Sequence, residues 1–252
     1  MTPPPVPGRL VILSGPSCVG KSPLDRALAR FYPNLHGPLQ KVVLFNSRDP
    51  RPGERDGVDY HFRPRTRIEA LRSEERIAVL EVRGDLQALD LKELAALLAR
   101  GDALFEGNPF VGGLLQTHPA LALVQRLSIF LAPLSKEEIL FLKDPARNLS
   151  LPDLVTDVMR RKLLRRTRRQ KGELSLKDLE DIERRAGSAF QELHEAVHFE
   201  WVIPNHDGED SDNWEAFYYP LGDARRAMLA FADLLEDRVP SCAEKWTAGL
   251  LP

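Results

Sequence analysis

The sequence predicts an α/β fold: a parallel sheet flanked by helices. Short apolar runs, stopped by Gly, Pro or polar clusters, alternate along the chain with stretches of helical spacing, which is the pattern of strand–helix–strand units. The chain of 252 residues suffices for one sizeable core. No repeat of roughly 20–50 residues suggests a solenoid instead.

Arg9–Ser14 (RLVILS) is apolar, short and stopped by Gly-Pro, so it reads as a buried strand. Lys21–Phe31 reads as the helix that follows. Lys41–Ser47 is a second strand, and the Arg-, Asp-, Pro- and Gly-rich residues 48–59 form an ordered polar loop. Val58–Phe62 and Ile77–Val82 are further strands, and Leu89–Leu98 is a helix. Ala103–Gly107 and Arg126–Ala132 are strands on either side of a helix near Phe110–Thr117. Two long polar helices, about Pro152–Lys171 and Ser175–Ala196, lead to a last buried strand, Phe199–Pro204. Asp223–Glu236 closes the domain as a helix with apolar residues at i, i+3, i+4 and i+7. The proline-dense residues 1–8 read as a disordered lead-in, and residues 237–252 as a loosely held C-terminal tail.

Composition excludes several classes. Lys and Arg number 35 against 37 Asp and Glu, for a net charge of −2, which argues against a globally basic nucleic-acid binder. An apolar content of 43% argues against wholesale disorder. Two cysteines, Cys18 and Cys242, cannot staple a secreted scaffold and fit a reducing compartment. No apolar run approaches the roughly 20 residues of a membrane span, and the N-terminus lacks the pattern of a secretory signal. The expectation is a cytoplasmic protein without membrane partners.

The segment Gly15-Pro16-Ser17-Cys18-Val19-Gly20-Lys21-Ser22 matches GxxxxGK[ST] and lies between a strand and a helix, the context this phosphate-binding loop requires. Its glycines let backbone amides turn toward phosphate, and the helix N-terminus adds positive potential. Lys21 supplies a charge for the β- and γ-phosphates, and the Ser22 hydroxyl a ligand for magnesium. The motif implies a nucleoside triphosphate donor on a P-loop NTPase-type sheet. Pro23 follows directly and lacks both an N–H and a hydroxyl for the donor's α-phosphate. Cys18 is either a tolerated small residue or a thiol acidified by the helix end.

Residues 47–62 read SRDPRPGERDGVDYHF. Two arginines three apart, held by prolines and followed by a tyrosine, form a clamp for one phosphate. Together with the upstream loop, the order S-R-x-P-R-x-G-E-x-x-G-x-x-Y-x-F resembles the acceptor-phosphate motif of the guanylate kinases. The resemblance covers roughly residues 9–236. It implies a P-loop core, a small monophosphate-binding subdomain (about 41–90) and a helical lid with flanking helices (about 135–196). The implied activity is magnesium-dependent transfer of the γ-phosphoryl group of ATP to a nucleoside monophosphate, GMP or dGMP first. It also implies that Arg48, Arg51 and Tyr60 bind the acceptor phosphate, with Glu81 and Asn108 near the base. Asn205, at the end of the last strand, is either near the adenine or a plain turn residue. Glu81 is either a base reader or a surface ion-pair member.

The resemblance has departures. Leu44 stands where the family's guanine-reading serine aligns, Gln87–Lys92 lack its Tyr-Gly-Thr/Ser, and Asn108 replaces an aspartate. The phosphate clamp is retained while the base contacts differ, and base contacts choose a nucleotide. Residues 160–171 carry eight basic residues and no acidic one. Lys162–Arg166 within this run, and Arg184–Glu192 beyond it, resemble the family's lid motifs, in which Arg166 and Arg185 would neutralise the phosphoryl group in flight. The same run also reads as a solvated face paired with the acidic helix after it. The runner-up functions are a kinase for another phosphorylated acceptor and a catalytically silent guanylate-kinase-like binding module.

Overall fold

The computed structural model describes residues 8–51 and 53–252; the lead-in before Gly8 and Pro52 of the clamp lie outside the described residues. Five parallel strands form the main sheet: β1 (Leu10–Ser14), β2 (Gln40–Lys41), β7 (Ala103–Gly107), β8 (Arg126–Ala132) and β9 (Trp201–Pro204), in the order β2-β7-β1-β8-β9. All five residues of central β1 are buried, which is why it reads as a continuous apolar run. Helix α1 (Lys21–Phe31), the short α2 (Pro33–His36), α4 (Leu91–Leu98), α5 (Pro109–Thr117) and α10 (Gly222–Leu235) belong to this core. Helix α5 packs on β1, β7 and β8, and α10 on α1 and β9.

A second sheet, ordered β4-β3-β6-β5, combines β3 (Phe45–Asn46), β4 (His61–Phe62), β5 (Ile77–Val82) and β6 (Asp85–Asp90). Its β3–β4 pair is parallel and its other pairs antiparallel. Helix α3 (Arg65–Ala70) covers one face with a small core of Ile68, Ile77, Leu86 and Ala88. The opposite face turns to the main core. The strand expected over Lys41–Ser47 is therefore two short strands in different sheets. Val42 and Leu44, both buried, carry the chain from one to the other, and this crossing forms one lip of a cleft.

The helix expected from Leu89 begins at Leu91, because Asp85–Asp90 pairs with β5 as a hairpin. Its turn, Arg83-Gly84, has positive φ at both residues (55° and 84°), the geometry of a type I′ turn. Three helices occupy the stretch expected as the lid: α7 (Leu151–Lys171), α8 (Leu176–Gly187) and α9 (Ala189–His194). The helix expected over Ser175–Ala196 is thus broken near Ser188. Helix α6 (Lys136–Leu142), missing from the sequence reading, starts in a capping box of Ser135 and Glu138. The tail also differs from expectation, since it is docked rather than loose. Val202 and Glu244 exchange backbone hydrogen bonds of 2.8 and 2.7 Å on the edge strand β9, and Trp246, Leu250 and Leu251 are buried. Among the described residues no helix is long and apolar enough to cross a membrane.

Candidate active site

The phosphate loop leaves β1 at Gly15 and enters α1 at Lys21. Gly20 sits at φ 107°, and a Cβ there would lie 2.5 Å from the Asn205 carboxamide and 2.8 Å from the Asp207 carbonyl. Only glycine fits this position. Asn205 is fully buried, and its Nδ2 donates to the carbonyls of Val19 (2.7 Å) and Asp207 (2.8 Å). It braces the loop from behind and is not among the residues that line the cleft. Lys21 folds its Nζ onto the carbonyls of Gly15 (2.8 Å) and Pro16 (2.9 Å). Burial lowers its proton affinity, and Glu209, Glu106 and Glu192 offset part of that effect. Burial, with Glu209 next, drives the Cys18 thiol upward, so it is a small packing residue and not a reactive thiolate.

Ser22 Oγ donates to Glu106 Oε1 at 2.7 Å. Glu106, to which the sequence reading gave no role, is half-buried near the end of β7, and desolvation raises its carboxyl. A carboxylate in an otherwise apolar strand was the signal available for it.

Gly15, Ser17, Cys18, Lys21 and Ser22 line one side of a cleft of about 440 Å³, and Arg48, Arg51 and Tyr60 line the other. Arg48 is gripped by Glu54 through two bonds of 2.6 and 2.7 Å, and it lies over the rings of Tyr60 and Phe62. Its desolvation is outweighed by the Glu54 bonds, so its pKa rises. Arg51 has no such grip. Burial and then the charge of Arg48 push it down to about 10, and the nearest carboxylate is Asp181 at 3.8 Å. Burial raises the Tyr60 hydroxyl.

The lid supplies Arg166 and Arg185 to the same cleft. Arg185 is only 3% exposed; its Nε donates to Ser17 Oγ at 3.1 Å and its Nη1 lies 3.3 Å from Asp181 Oδ2. The Nε of Arg166 is buried without a partner among the described residues. Asp181 thus faces both a clamp arginine and a lid arginine. Burial favours its neutral form, yet Arg185, Arg184 and Arg51 hold its carboxyl down to about 2. Elsewhere the basic run is neutralised from two sides: Arg160 pairs with Glu183 on α8, and Arg165 and Arg169 pair with Asp210 and Asp212 beyond β9.

Glu81 is placed differently from expectation. It is exposed on the outer face of β5 and pairs with Arg65 at 3.2 Å. Strand alternation is the reason: Ile77 and Val79 share its face and pack in the small core, while Val82 points to the cleft. Asn108 lines the cleft, but its carboxamide is engaged. Oδ1 accepts from Phe110 N (2.9 Å) as a helix cap, and Nδ2 donates to Glu192 (3.1 Å). Glu192 is fully buried and also holds Arg83 (2.5 Å) and Ser188 (2.9 Å). Arg83 lines the cleft and was missed because nothing local marks its partner 109 positions away.

Comparison with known proteins agrees with this geometry. The guanylate kinase family model matches residues 7–87. The guanylate kinase of Synechococcus sp. (strain JA-3-3Ab) is 30% identical over 221 residues, covering 86% of this chain and 85% of that protein. That of Alkalilimnicola ehrlichii is 28% identical over 95% of this chain and 97% of its own. That of Mycobacterium bovis is 49% identical over 80 residues, or 31% of this chain. The alignments to the mycobacterial guanylate kinases span 29% to 57% of those proteins. A crystal structure of guanylate kinase from Anaplasma phagocytophilum superposes with a TM-score of 0.52 at 19% identity, over 94% of this chain and 89% of that one, and shares the fold.

Proposed function

The chain belongs to the guanylate kinase family, and from that premise we propose that it transfers the γ-phosphoryl group of ATP to a nucleoside monophosphate, with GMP or dGMP the first acceptors to test. The observation that carries this reading is the single cleft with a triphosphate loop on one wall, a two-arginine clamp on the other and lid arginines between them. ATP lies on Gly15–Ser22. Lys21 exchanges its two loop carbonyls for the β- and γ-phosphates. Arg48, Arg51 and Tyr60 hold the acceptor phosphate so that its oxygen faces the γ-phosphorus. Arg166 and Arg185 neutralise charge on the equatorial oxygens, and positioning and neutralisation carry most of this chemistry without a general base.

Ser22 and Glu106, 2.7 Å apart, form an all-oxygen donor set that fits magnesium. They would hold it beside the loop, where its charge offsets that of the phosphates. A cytoplasmic location belongs to the same reading.

The test is ADP release on mixing ATP with GMP, coupled to a spectroscopic readout. Lys21→Ala should lower transfer by about 10²–10³-fold with the circular dichroism unchanged. A folded Lys21→Ala protein with near-normal transfer overturns the proposal.

A further inference from the structure

The wall that extends from the clamp into the cleft is built from paired positions on β3 and β6. Asn46 and Gln87 are Cα partners across that antiparallel pair, and Phe45 pairs with Ala88. The same register places Asp85 level with Arg48, and Leu89 level with Leu44. Strand alternation turns Leu86 and Ala88 into the small core and leaves Gln87 facing the cleft. Moving away from the acceptor phosphate, the wall is therefore charged at Arg48 and Asp85, carboxamide at Asn46 and Gln87, and apolar at Leu44 and Leu89.

The carboxamide level is where a base edge falls. Asn46 is 1% exposed, and its Oδ1 is occupied by the backbone N–H of Arg48 at 3.2 Å, so it offers the cleft a donor. Gln87 is 8% exposed and lines the cleft. Its carboxamide has no hydrogen-bond partner among the described residues, so its Oε1 offers an acceptor and its Nε2 a donor. Of the carboxylates around the cleft, Glu209 stands on the phosphate-loop side beside Lys21, with its Oε2 unpartnered among the described residues, and the others on the clamp side are engaged or beside arginines. Glu54 holds Arg48, Glu106 accepts from Ser22, Asp181 faces Arg185, and Asp59 accepts from Arg55 N. Asp85 stands beside the clamp, with Arg184 at 3.8 Å.

The Watson–Crick edge of guanine presents one acceptor, O6, beside two donors, N1–H and N2–H₂. Reading both donors together takes a carboxylate or two acceptors side by side. Asn46 and Gln87 supply a donor and one acceptor, which satisfies O6 and N1–H and leaves the 2-amino group without a partner. The O6 and N1–H of hypoxanthine present the same acceptor and donor in the same order, whereas adenine reverses them and sets its N6–H₂ donor against the Asn46 donor.

We infer that the site selects its acceptor by the phosphate and by one donor–acceptor pair on the base, and does not read the 2-amino group of guanine. The substrate class is then 6-oxopurine nucleoside monophosphates, with IMP used alongside GMP and AMP disfavoured. This inference rests on the proposed kinase activity and concerns the selectivity of the same site.

The experiment compares kcat/KM for GMP, IMP and AMP with ATP as donor, because IMP differs from GMP only by the missing 2-amino group. The expected result is IMP within about fivefold of GMP, with AMP used less well than either. A carboxylate reading the amine would separate GMP from IMP by about 10–150-fold, the worth of one charge-assisted bond. Gln87→Glu should introduce that preference, raising the GMP/IMP ratio about tenfold or more. A wild-type GMP/IMP ratio of about 10 or more overturns the inference and leaves the kinase proposal intact. So does a folded Gln87→Glu protein with an unchanged ratio. If none of the three monophosphates elicits ADP release, the kinase proposal itself fails, and the inference with it.

Discussion

Replacing Asp181 by Asn should have opposite effects on stability and on binding. Asp181 faces Arg185 at 3.3 Å and Arg51 at 3.8 Å. Its carboxyl is held down to about 2, against an ordinary value near 3.9. At about 1.4 kcal/mol per pH unit the depression corresponds to about 2–3 kcal/mol. The side chain is 29% exposed, and solvent screening reduces this to about 1–2 kcal/mol. Asp181→Asn should therefore lower the melting temperature of the ligand-free protein by roughly 2–8 °C at neutral pH. Because the folded pKa is depressed, the contribution is fully present above about pH 4 and is lost as pH falls through about 2. Wild type and variant should thus converge in acid. Binding should move the other way. With Asp181 neutral, an acceptor phosphate meets Arg51 without displacing a competing carboxylate, and its Kd should fall by about 3–10-fold, or roughly 0.7–1.4 kcal/mol. Thermal unfolding from pH 2 to 8 and calorimetric titration with GMP measure both quantities. A variant that is less stable and also binds GMP more weakly refutes the reasoning, since Asp181 would then be orienting Arg51 rather than competing for it.

Two further outcomes follow from the site. Pro23 is buried in the first turn of α1 and offers the donor neither an amide nor a hydroxyl, so Pro23→Thr should tighten ATP by about 1–2 kcal/mol in calorimetry; unchanged or weaker ATP binding with the fold intact removes that argument. Glu81→Ala should leave the KM for the acceptor within about twofold, because Glu81 lies on the outer face and its partner is an exposed arginine; a tenfold rise would return Glu81 to the base pocket.

The legible parts of the molecule were those set by local chemistry. The phosphate loop needs only a strand, a glycine turn and a helix start, and Arg9–Phe31 carries all three in one stretch. The clamp is equally local, with Arg48, Arg51 and Tyr60 inside one loop. The base wall was not legible, because it depends on strand phase. Glu81 and Val82 differ by one position, and in a strand one position exchanges cleft for solvent. The strand Asp85–Asp90 was hidden because the small core takes Leu86 and Ala88 while the main core takes Leu89, so it shows no clean polar alternation. Its Arg-Gly turn was the available cue. Asp181 and Glu192 act across more than a hundred residues, and no spacing along the chain marks such pairs. The docked tail was missed because Trp246, Leu250 and Leu251 form too sparse an apolar pattern to read as an element.

The Arg83–Glu192 pair bears on how quickly the cleft empties. It ties the hairpin tip of the small sheet to a helix of the lid region, and Glu192 has no exposure to water. Any motion that carries the hairpin away leaves a buried carboxylate without its cation, a loss worth about 3–5 kcal/mol for a buried pair. Ser188 and Asn108 still donate to Glu192, which favours the lower end of that range. At about 3 kcal/mol the separated form is held by fewer than roughly 1% of molecules at any instant. Opening of the cleft by that route is confined to those brief excursions.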